Sequence, residues 1–149
     1  GGWSRVTLSV SKSSAPLPIA DEYDVLIVTS EDRLMAEYPR LKYGGTLIYA
    51  SDAVNNELIS KIAARKNAKT YGIEAFSISK SLLGNLRYAN MVLLGFSIPL
   101  LNQLGLALRI EHLVEALGEI SARDFESNKK AFEEGYRRAV TVISQQETT

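Results

Sequence analysis

The sequence predicts an α/β protein, built as a three-layer α/β/α arrangement with a mainly parallel sheet and a helical C-terminal half. Three observations carry that prediction. Two aliphatic runs, Asp24-Val-Leu-Ile-Val-Thr29 and Thr46-Leu-Ile-Tyr-Ala50, show the unbroken hydrophobicity of strands covered on both faces. The segments after each run place apolar residues at helical spacing, which gives the strand–helix alternation of a parallel sheet. Beyond Ile73 the alternation stops and the pattern is helical to the end.

The elements follow in order. Ser4 to Ser11 sets Val6, Leu8 and Val10 against Arg5, Thr7 and Ser9, the period-two pattern of a half-buried strand. A polar stretch with two prolines, Ser11 to Pro18, ends it. After the Asp24–Thr29 strand, Glu31 to Tyr38 reads as a short helix stopped by Pro39. Gly44-Gly45 reads as a turn leading into the Thr46–Ala50 strand. Asn55 is placed to cap a helix that carries Leu58, Ile59, Ile62 and Ala63 on one face. A third strand spans Ala68 to Ile73. Helices are then expected over Ser77–Leu83, Tyr88–Leu106, Arg109–Leu117 and Phe125–Ile143. The last has Phe125, Phe132, Tyr136, Ala139 and Ile143 as its stripe, with Ser121 and Asp124 resembling an N-terminal cap. The polar tail from Gln145 is expected to fray. No linker or internal repeat divides the 149 residues, so one domain, 1–149, is expected.

Composition excludes several kinds of chemistry. Seventeen Lys and Arg balance seventeen Asp and Glu, which leaves no net positive charge to drive phosphate-dominated nucleic-acid binding. With 46% hydrophobic residues and four prolines, the chain has the material for a core. Zero cysteines remove disulfides, thiolate nucleophiles and thiolate-held zinc or iron–sulfur clusters from this chain. The longest apolar stretch, Met91–Leu101, contains Ser97 and Pro99 and falls short of the ~20 residues of a spanning helix. It reads as a buried helix, and no membrane partner is expected. Absence of cysteine fits a cytoplasmic location without requiring it.

Few side chains are candidates for catalysis. The single histidine, His112, lies between Glu111 and Glu115 off the apolar stripe of its predicted helix, where a solvated surface histidine is the simpler reading. Asp21, Glu22 and Asp24 cluster ahead of a strand and read as solvated charge. No G-x-S-x-G, G-x-G-x-x-G or G-x-x-x-x-G-K-[ST] pattern occurs. Gly95 and Gly135 fall inside predicted helices, where lack of a Cβ permits close packing. Asn90 and Asn128 stand at or near helix starts, where an asparagine side chain can cap free N–H groups or hydrogen-bond from helix to loop. The residues taken alone therefore describe an α/β domain without a catalytic constellation or metal site of its own.

A series of motifs in fixed order goes further. Gly1-Gly-Trp-Ser-Arg-Val-Thr-Leu-Ser-Val-Ser11 resembles the GG-x-S-R strand of gamma subunits, or gamma-type domains, of 2-oxoacid:ferredoxin oxidoreductases. The proline-containing loop Ala15-Pro-Leu-Pro18, the run Tyr23-Asp-Val-Leu-Ile-Val28 and Gly44-Gly-Thr-Leu-Ile-Tyr49 follow in the same order as in that family. Gly84-Asn-Leu-Arg-Tyr-Ala-Asn-Met-Val-Leu-Leu-Gly95 is similar to its G-N-x-R-x-x-N-M-V-x-L-G helix, and Asn128-Lys-Lys-Ala-Phe-Glu-Glu-Gly-Tyr136 to its N-x-x-A-F-x-x-G-Y ending. Family members normally carry a strand, a glycine-rich loop and a helix ahead of the GG-x-S segment. The expectation is thus that an N-terminal βα unit is missing here.

The resemblance implies a subunit of an enzyme, such as a pyruvate synthase, that oxidatively decarboxylates a 2-oxoacid. Coenzyme A takes the acyl group and ferredoxin takes the electrons. It further implies that thiamine diphosphate, Mg2+ and [4Fe–4S] clusters reside with alpha, beta and possibly delta subunits, and that this chain binds no cofactor alone. Coenzyme A or subunit contact falls to Gly1, Gly2, Ser4 and Arg5, with close backbone approach, a hydroxyl donor and a guanidinium for phosphate. Asn90, Gly95, Asn128 and Gly135 carry over as motif positions, with no catalytic residue among them. A free-standing α/β ligand-binding or regulatory domain sharing the fold remains the alternative, because fold does not fix function.

Overall fold

The computed structural model describes residues 22–105 and 124–147. The expected strand Ser4–Ser11 and the expected helix Arg109–Leu117 lie outside them. The chain forms two compact units, Gly1–Gly72 and Ile73–Thr149, and each is described by itself.

In the first unit, strands and helices alternate as the sequence predicts. Strand β1 (Tyr23–Val28) leads to helix α1 (Glu31–Glu37), a 3-10 turn (Tyr38–Arg40), strand β2 (Leu41–Ala50), helix α2 (Asn56–Lys66) and strand β3 (Lys69–Ile73). The sheet order is β1-β2-β3, and β1 pairs with β2 in parallel, Leu26 opposite Leu47 and Val28 opposite Tyr49. Side chains alternate across a strand, so Leu26, Val28 and Leu47 share one face. They form a core with Tyr23, Leu34, Leu41, Val54, Ile59 and Ile62. Leu34 and Leu47 are fully buried, and truncating such a leucine to alanine costs about 2–5 kcal/mol.

Local chemistry fixes the element boundaries. The Ser30 hydroxyl accepts the Arg33 N–H and starts α1, while the Asn55 side chain accepts the Glu57 N–H at 2.8 Å and starts α2, as the sequence predicts. The Asn55 N–H in turn donates to the Glu31 carboxylate at 2.8 Å, which ties the chain ahead of α2 to the first turn of α1. One boundary differs from expectation. Gly44-Gly45 lies inside β2, not ahead of it, and the β1–β2 register shifts between Tyr23 and Val25. The extra residues of β2 between Leu41 and Thr46 break the regular register, where the sequence presents an ordinary glycine turn.

The second unit is helical among the described residues. Helix α3 (Ala75–Leu83) begins two residues before the expected start. A 3-10 turn (Leu86–Tyr88), helix α4 (Ala89–Gln103) and helix α5 (Phe125–Glu147) complete it. Helix α4 buries Val92, Leu93, Phe96, Ile98, Leu100 and Leu101, which accounts for its apolar run without a membrane. No helix among the described residues is long and apolar enough to cross one. Pro99 sits in the second half of α4 and removes one backbone donor there, while the buried Ser97 hydroxyl donates to the Leu93 carbonyl at 2.7 Å. Helix α5 continues to Glu147, so Gln145 and Gln146 are helical and not frayed as expected. Its buried residues are Ala131, Phe132, Gly135 and Ala139. Ile143, at the end of the expected stripe, is only half-buried.

Candidate functional site

The two most specific motifs of the sequence meet in the second unit, where α4 crosses α5. An ideal Cβ on Gly95 would lie 1.9 Å from the Phe132 carbonyl oxygen, and one on Gly135 would lie 1.9 Å from the Val92 carbonyl oxygen. Each glycine is therefore the space into which the other helix's backbone fits. At that separation Cα–H groups face carbonyl oxygens, a contact worth perhaps 0.5–1 kcal/mol each. This is the close packing anticipated for both positions.

A closed polar ring stands beside the crossing, where the chain enters α4 and α5. The Ser79 hydroxyl, fully buried on α3, donates to the Asn85 carbonyl at 2.5 Å and accepts the Tyr88 N–H at 3.2 Å. The Asn85 side-chain oxygen accepts the Arg87 N–H at 2.9 Å and starts the 3-10 turn. The Arg87 guanidinium pairs with the Asp124 carboxylate and lies 5.0 Å from the centre of the Tyr88 ring. The Tyr88 hydroxyl donates to the other Asp124 oxygen at 3.4 Å, and the Asp124 carbonyl accepts the Asn128 N–H at 2.9 Å. Residues just ahead of α4 thus hold the residue just ahead of α5, so the two helices run in the same general direction.

These contacts correct one expectation. Neither Asn90 nor Asn128 stands at an N-cap position: Asn90 is the second residue of α4, whose N-cap position is Tyr88, and Asn128 lies in the first turn of α5, after Asp124. In this unit the capping asparagine is Asn85. A signal for it was present in the Gly84-Asn85 pair, since glycine ends helices and asparagine starts them. Ser79 carried no such signal, because a serine in a short helix reads as exposed. Gly1, Gly2, Ser4, Arg5, His112 and Ser121 lie outside the described residues.

On the outer side of α5, Glu134 accepts from Arg137 and Arg138 at 2.5 and 3.1 Å. The Arg137 hydrogen bond is the largest influence. Together with Arg138 it holds the Glu134 carboxyl below the usual carboxylate range, against a smaller upward push from burial. Among the described residues, no group of three or more His, Asp or Glu side chains could hold a metal ion, and no buried side-chain nitrogen or oxygen lacks a partner. The ring's polar groups are committed to one another. The arrangement can orient helices, and it presents no nucleophile beside a base.

Comparison with known proteins assigns these motifs. Residues 1–138 match the family described as pyruvate ferredoxin/flavodoxin oxidoreductase. The chain belongs to that family. It is 30% identical over 95 residues to 2-oxoglutarate synthase subunit KorC of Methanothermobacter marburgensis, an alignment that takes in 64% of this chain and 51% of that protein. The chain thus spans about half the length of this curated relative. Its fold is similar to the gamma subunit of keto/oxoacid ferredoxin oxidoreductase from Geobacter sulfurreducens PCA, with a TM-score of 0.60, 23% identity, and coverage of 80% of this chain and 65% of that one. It is also similar to 2-oxoglutarate:ferredoxin oxidoreductase from Magnetococcus marinus, solved with 2-oxoglutarate, coenzyme A and succinyl-CoA bound. There the TM-score is 0.63, the identity 20%, and the match covers 82% of this chain and 20% of that chain. The gamma-type resemblance and the α/β class are both borne out.

Proposed function

We propose that this chain, as one gamma-type domain over residues 1–149, serves a cytoplasmic 2-oxoacid:ferredoxin oxidoreductase that converts a 2-oxoacid and coenzyme A to acyl-CoA and carbon dioxide. The electrons released go one at a time to ferredoxin. The observation that carries the reading is the family match over residues 1–138, which takes in every motif read from the sequence. Relatives named for 2-oxoglutarate sit beside a family named for pyruvate. The substrate class is accordingly a 2-oxoacid, with pyruvate and 2-oxoglutarate as the two acids to test.

The chain's own part in this is structural and coenzyme-A-contacting. A chain without cysteine holds no thiolate-ligated cluster, so [4Fe–4S] clusters belong to partner chains. Thiamine diphosphate with Mg2+, bound by alpha and beta subunits, supplies the carbanion stabilisation that decarboxylation needs. Gly1, Gly2, Ser4 and Arg5 suit a phosphate-bearing ligand by residue type: glycines that permit close backbone approach, a hydroxyl donor and a guanidinium that can bind phosphate bidentately.

Reconstitution of the complex with Arg5→Ala tests this role. The KM for coenzyme A should rise roughly tenfold, the loss of about one charge-assisted contact, with the KM for the 2-oxoacid unchanged. Equal rises in both would place Arg5 at a subunit contact instead.

A further inference from the structure

We draw no further inference here: the strongest candidate, the surface patch at the register break of β2 where Tyr43 stands 77% exposed beside Gly44 at φ +80°, carries nothing because no feature of the structure shows what covers it.

Discussion

Gly135 of α5 faces the Val92 carbonyl oxygen of α4 so closely that a Cβ would stand 1.9 Å from it, and Gly95 meets Phe132 in the same way. Both obstructing atoms belong to backbone, so no rotamer change relieves the clash. Gly95→Ala and Gly135→Ala should each destabilise the fold by about 3 kcal/mol or more, at the upper end of overpacking costs. Urea unfolding of the single and double variants checks this. Because one crossing accommodates both glycines, the second substitution should cost less than the first.

The ring at the motif turn separates a buried polar contact from an exposed one. Ser79→Ala would leave the buried Tyr88 N–H without its acceptor and the part-buried Asn85 carbonyl without its donor, at a cost of about 1–3 kcal/mol. Arg87→Met removes a half-exposed ion pair and should cost under about 1 kcal/mol, falling further in high salt. Thermal melts of both variants at low and high ionic strength distinguish the two. A larger loss from Arg87→Met would show that the pair with Asp124 does more than orient α5.

Helix α2 depends on one side chain for its start. Asn55→Ala removes the acceptor of the Glu57 N–H and should cost about 1 kcal/mol. Asn55→Asp should keep the cap. Chemical denaturation of the two variants reads the difference.

Glu134 makes the stability of α5 depend on pH in a defined direction. Its folded carboxyl titrates below the reference value of 4.5, chiefly through the hydrogen bond from Arg137. A depressed carboxylate stabilises the fold above its unfolded pKa, and the contribution is lost as pH falls through that value toward the folded one. Glu134→Gln should therefore lower stability at neutral pH and flatten the loss between pH 4.5 and the folded titration. Melting temperature followed from neutral pH into acid, for the native chain and the variant, measures it; parallel curves would show that Arg137 and Arg138 do not act on this group.

Much of this was legible in the sequence. Continuous aliphatic runs identified β1 and the second half of β2, Asn55 announced its helix, and Gly95 and Gly135 inside apolar helices pointed to a close crossing. What was hidden has a common physical cause: it depends on atoms brought together from distant segments. The irregularity in β2 is a register shift against β1, which Gly44-Gly45 alone cannot specify. Ser79 and Asp124 take their roles from where the turn at Asn85–Tyr88 folds back. Asn90 and Asn128 lie near helix starts, where asparagine suggests a cap or a helix-to-loop hydrogen bond, whereas Asn85 and Asp124 occupy the junctions.

On the proposed function, this chain serves as a gamma-type subunit while partner chains carry the chemistry. Native purification followed by dye reduction tests it most directly, with 2-oxoacid and coenzyme A supplied together and separately. The expected result is a brown complex containing this chain and iron-bearing partners, which reduces a viologen dye only when both substrates are present. A stable, colourless monomer with no partners and no such activity would contradict it.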